Sequence, residues 1–183
     1  MVLNFFRKRL PEKSEVFTVL GIVVFMVFSW SIWGFLHEIP SLLLYFRVGQ
    51  ILAIFSYMMG FALLESLLVM IGLGLMSLAL PVRWFKNGFI YKSFITVLLG
   101  AVVILFFGNT LMSLNNDFPP LESILKSVLI AIIAWVLLLF LFHYVKPMQK
   151  AVLFIADRIG VMAYFYIPLG ALGMIVMLIR NIF

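Results

Sequence analysis

Cysteine is absent from this chain of 183 residues. That excludes disulfides, thiolate nucleophiles, iron–sulfur ligation and cysteine zinc sites. Imidazole is scarce too, with only His37 and His143 to supply it. Charge is the third scarcity: Asp, Glu, Lys and Arg make up 11% of the residues, against about 25% in a soluble globular domain. P-loop, dinucleotide-binding, H-E-x-x-H and G-x-S-x-G patterns are all missing. No span carries the repeated arginines of a voltage sensor, and no loop resembles a selectivity filter. Nothing in the chain calls for a cofactor or a metal.

Apolar residues are what the chain has in quantity, 66% of the total. A globule of this length has too little interior to hide them, so the suitable solvent for most is lipid. The excess of basic over acidic residues, 13 against 7, would in a soluble protein suggest nucleic acid. No basic run with interleaved aromatics supports that reading. Retention of positive charge on the cytoplasmic side of a membrane explains the excess better.

About 20 apolar residues are needed for a helix to cross the roughly 30 Å hydrocarbon core. Five segments meet that need: about 16–36, 51–80, 93–114, 123–145 and 159–179. The first follows Arg7-Lys8-Arg9 and Lys13, as a secretory signal would. Its apolar run exceeds the 7–15 residues of a signal core and ends in Trp30, Trp33 and His37-Glu38 rather than at a small-residue cleavage site. It reads as an ordinary first span. Residues 38–50, with Pro40, Tyr45 and Arg47, read as a short element along the interface, Pro40 suiting a helix start. Pro81 closes the second span, Asn115-Asn116-Asp117-Phe118-Pro119-Pro120 separates the third from the fourth, and Lys146-Pro147 closes the fourth. Residues 148–158 form an amphipathic lead-in to the fifth, which Pro168 interrupts.

The expected fold is therefore an all-α, polytopic transmembrane helix bundle of five spans in a single domain, 1–183. Basic residues orient it. Ten of the thirteen fall in the amino-terminal segment and in the segments after spans two and four; Arg47, Lys126 and Arg180 fall on the other side. The positive-inside rule then places the amino terminus in the cytoplasm and the carboxyl terminus outside. Trp30 and Trp33 near one end, and Trp84, Tyr91 and Tyr144 near the other, suit the two interfaces. The expected location is a cell membrane, taken as a prokaryotic cytoplasmic membrane, and the expected contacts are membrane lipids, other membrane subunits or a second copy.

Glu65 is the residue most worth testing. It lies mid-way along the second span, where insertion scales charge about 2.5–3.5 kcal/mol for a central Asp, Lys or Arg. It must be protonated, paired or facing water. The expectation is a Glu65 that faces other helices and bonds Trp135, Tyr164 or Tyr166, the indole being a donor only. Asn109 calls for an interhelical hydrogen bond. Asp157, Arg158 and His143 sit where lipid headgroups would meet the chain. Ser56-x-x-x-Gly60, Ala156-x-x-x-Gly160, Gly72-x-Gly74 and Gly170-x-x-Gly173 offer small packing surfaces.

Three functional classes compete. A non-catalytic membrane subunit, scaffold or assembly partner accords with few polar residues and short loops. A small transporter or proton- or cation-handling protein would be organised around Glu65. A lipid-acting membrane enzyme would need an acid–base pair, which the sequence does not display.

Overall fold

The apolar runs form helices because a helix satisfies every backbone N–H and C=O within its own segment. The computed structural model describes residues 10–81, 85–113 and 121–182, with side chains at all of these except 107–113, 121, 142 and 143. Six helices follow in order: α1 Lys13–Tyr45, α2 Val48–Ala79, α3 Phe89–Ser113, α4 Leu121–Tyr144, α5 Lys146–Gly160 and α6 Ala163–Ile182. All but α5 contain a stretch long and apolar enough to cross a membrane. Among the described residues there is no strand.

Chain chemistry explains most of the breaks. Leu80 takes an extended conformation (φ −83°, ψ 152°), as a residue preceding proline should, and α2 stops there. Pro147 has no N–H with which to continue the ladder of α4, so α5 begins as a separate helix at Lys146. Between α5 and α6 the turn at Val161–Met162 is held by i→i+3 bonds, Met162 N–H to Ile159 O at 2.9 Å and Tyr164 N–H to Val161 O at 3.2 Å. Gly88, at φ +82°, makes the left-handed turn into α3, and the Tyr91 ring occupies the space where a Cβ would stand.

Two expectations need correction here. Residues 38–45 do not form a separate interfacial element; they prolong α1, with Pro40 inside the helix rather than at its start. A proline removes one ladder bond, which a long helix can lose without ending. The connection to α2 is only the extended pair Phe46–Arg47, and the Arg47 N–H is capped by Gln50 Oε1 at 2.9 Å. The last span also begins later than residue 159, since Gly160 still belongs to α5 and α6 starts at Ala163. The amphipathic lead-in is α5, which buries Val152 and Ala156. The stop signal at 115–120, the basic residues before Leu10, and Arg83 and Trp84 lie outside the described residues.

The chain divides into two compact units, with boundaries at Asn87/Gly88 and Phe154/Ile155. In the first unit α1, α2 and α6 pack on one another, α2 against α6 most extensively. Val24, Phe28, Met59, Ala62 and Leu63 form its core, with Tyr166, Ile167 and Met174 packed around them. The Phe28 and Tyr166 rings stack at 5.1 Å. Glycine sets the α2–α6 separation. A Cβ on Gly173 would clash with the Ser56 carbonyl oxygen and lie 2.8 Å from the Gly60 nitrogen; one on Gly170 would lie 2.8 Å from Leu63 Cβ and from Phe28 Cζ.

In the second unit α3 packs against α4. Tyr91, Ile95 and Val152 are its buried cluster, with Phe94, Leu138 and Leu139 alongside. No residue of the apolar stretch Glu122–Leu141 of α4 is buried.

Candidate functional site

Glu65 stands within two residues of the middle of α2 and is exposed. The buried flank of α2 carries Met59, Gly60, Ala62, Leu63, Ser66, Leu73 and Ser77. Glu65 shares the opposite flank with Phe61, Leu64, Leu68 and Leu75, all exposed. No hydrogen bond or ion pair of the Glu65 carboxyl occurs among the described residues. Its neighbour Ser66 is fully buried, and the Ser66 hydroxyl donates to Ala62 O at 2.7 Å. A serine can return a short hydrogen bond to its own helix; Glu65 makes none.

None of the anticipated bonds of Glu65 occurs among the described residues. The Trp135 indole N–H donates to Thr96 Oγ1 at 2.9 Å instead. Indole has one donor and no acceptor, so that bond uses its capacity. Thr96 in turn donates to Lys92 O at 2.8 Å, which makes a short polar relay along one turn of α3. Tyr166 is taken into the core of the first unit, and Tyr164 is 81% exposed. The side chains of Asn109 and His143 lie outside the described residues. Asp157 and Arg158 are both exposed near the end of α5.

Lys92 was not among the sequence candidates. Only 3% of it is exposed, and its ammonium stands 5.4 Å from the centroid of the Tyr91 ring, a cation–π arrangement. Beside it, Ser93 Oγ is buried with no hydrogen-bond partner among the described residues. The sequence counts Lys92 among the cations of a connecting segment. The Tyr91-Lys92-Ser93-Phe94 setting at a helix start was the available sign of something else, and periodicity does not say which way the lysine turns.

A hollow of about 330 Å³ opens beside the α5–α6 turn, lined by Phe17, Leu20, Gly160, Ala163, Tyr164, Ile167 and Pro168. Its wall is mostly apolar, and Glu65 does not line it. Gly21 and Gly160 meet next to it, a Cβ on Gly21 lying 2.8 Å from Gly160 Cα. Among the described residues no three His, Asp or Glu side chains converge as a metal site would require. No known protein family matches this chain, and neither a curated protein nor a solved structure does.

Proposed function

We propose that this is a multi-pass protein of a cell membrane, with a cytoplasmic amino terminus and an external carboxyl terminus, that works as a non-catalytic subunit or assembly partner. The observation that carries this reading is Glu65 in the middle of α2, exposed and without a hydrogen-bond or ionic partner among the described residues. A helix of 32 residues is about 48 Å long at 1.5 Å per residue. With either end of α2 set at the edge of the hydrocarbon, Glu65 still lies inside a core about 30 Å thick. Ionisable residues at such depth are rare and almost always face protein or water rather than lipid. Among the described residues nothing pairs with the Glu65 carboxyl, and a second protein surface would supply the partner. Localisation and orientation rest on the five apolar helices and on the distribution of Lys and Arg.

The test compares Glu65→Gln with Glu65→Leu in native membranes, reading the size of the assembly after mild detergent extraction. The amide keeps shape and hydrogen bonding, so Glu65→Gln retains the assembly. Glu65→Leu shifts the chain to a smaller species, with the thermal stability of the extracted chain unchanged because the site is exposed. An assembly indifferent to Glu65→Leu refutes the proposal. Ion or proton flux lost in Glu65→Gln with the assembly intact would establish the transporter reading in its place. Reporter fusions to each terminus test the orientation, and two ends reporting the same side would overturn it.

A further inference from the structure

We infer that the partner of the Glu65 face is a second copy of this chain, paired through α2 in parallel. This deepens the reading of Glu65 as an assembly residue and rests on it.

The exposed flank of α2 has a regular seam. Phe61, Glu65, Leu68, Gly72, Leu75 and Ala79 follow one another at spacings of four, three, four, three and four residues. That is the heptad repeat of a left-handed helix pair. Phe61, Leu68 and Leu75 occupy one set of layers and are 51%, 67% and 60% exposed. Glu65, Gly72 and Ala79 occupy the other. Among the described residues of the first unit nothing packs on this seam: a Cβ on Gly72 would meet no atom within 4 Å, while Gly60, Gly170 and Gly173 are committed to the α2–α6 contact. Gly72 is an unused small surface at a seam position.

The chemistry of the seam is self-complementary. Two copies of one topology in one membrane are related by an axis along the membrane normal, so their α2 helices run parallel. In a parallel pair each seam residue meets its own counterpart. Gly72 then faces Gly72, which permits close approach of the backbones. Glu65 faces Glu65. Two adjacent carboxyls do not both ionise, and a protonated carboxyl carries one donor beside its acceptor oxygen. The pair therefore satisfies itself, without the cation a different partner would have to bring. A single polar residue in such a layer also fixes register and the number of strands.

Because the wild type has no cysteine, single cysteines placed along α2 test the pairing directly in native membranes under mild oxidation. Disulfide-linked dimers are expected at Phe61→Cys, Leu68→Cys, Gly72→Cys and Leu75→Cys, and not at Leu67→Cys, which is exposed but off the seam. In the Leu68→Cys background, Glu65→Leu should lower crosslinking about five- to thirtyfold, the factor for about 1–2 kcal/mol of hydrogen bonding in membranes. Glu65→Gln should retain it. Equal crosslinking on and off the seam reports random collision and overturns the proposal. No crosslinking at any seam position, with the native assembly still lost in Glu65→Leu, overturns the self-pairing while leaving the subunit reading in place. Indifference of both measurements to Glu65→Leu overturns both.

Discussion

Along the α2–α6 contact, Gly60, Gly170 and Gly173 bring one backbone against the other, and a Cβ at Gly173 would clash with the Ser56 carbonyl. Along the α3–α4 contact, the specific link is a side-chain bond, Trp135 to Thr96, and the apolar middle of α4 buries no residue. Lipid tails are as apolar as leucine, so burial of apolar surface does not drive helices together in a bilayer; close packing and hydrogen bonds do. The first unit draws on close backbone packing, and the second adds a polar link to the side-chain packing of Phe94, Leu138 and Leu139. A contact made of backbone has no side chain to move aside, whereas a contact of side chains can adjust and loses chiefly the polar bond.

The largest effect should come from Gly173→Leu. Overpacking in a tight interior typically costs about 1–3 kcal/mol, occasionally more, and here the obstruction is backbone on both helices. We expect the upper end, read as the unfolding free energy in bicelles. Gly74→Ala serves as the control, since a Cβ there meets nothing within 4 Å. It should be neutral or slightly stabilising, because alanine exceeds glycine in helix propensity by about 1 kcal/mol. Equal destabilisation by both variants would mean that the glycines act through the backbone and not through the contact.

Next in size is the link in the second unit. Trp135→Phe should cost about 0.6–1.7 kcal/mol, from the average to the maximum of hydrogen-bond couplings between membrane helices. A double-mutant cycle with Thr96→Val should return most of that as coupling. Zero coupling would break the comparison, leaving α3 and α4 joined by packing alone.

Tyr57→Phe probes a polar link inside the unit built on packing. The Tyr57 hydroxyl donates to Asn181 Oδ1 at 3.1 Å, in an exposed position near the end of α6. Its loss should cost less than Trp135→Phe, about 0.5 kcal/mol. A larger cost would show that the first unit depends on polar links as well.

Ser66→Ala should have a similarly small effect. The serine bonds only to its own helix, at Ala62 O, and that carbonyl lies in the helical ladder without it. A hydroxyl bonded back to its own helix contributes little, so we expect no more than about 0.5–1 kcal/mol, the low end for a hydrogen bond, measured in the same bicelle assay.

The helix count was legible in the sequence. Each apolar run is long enough to cross the hydrocarbon, and Pro81 and Lys146-Pro147 end α2 and α4 as a missing amide dictates. Pro40 misled, because proline marks a helix start only on statistical grounds and here a long helix continues through it. Of the candidate site, the position of Glu65 along α2 was legible and its direction was not. The Trp135 indole donates to Thr96 within the second unit, a partner that periodicity along α4 does not reveal.

The sequence by itself determined which segments are helical and where along each helix the polar residues fall. Both follow from local chemistry: backbone hydrogen bonding within a segment, the missing N–H of proline, and the transfer of apolar side chains out of water. Only the tertiary structure decided that Gly60 and Gly173 are contacts while Gly72 and Gly74 stay open, that Lys92 is buried, and that Ser66 turns inward while Glu65 turns away. Rotation of a helix about its axis is set by what packs against it. In α2 apolar residues lie on every side, so no polar face marks the outside and periodicity carries no azimuth.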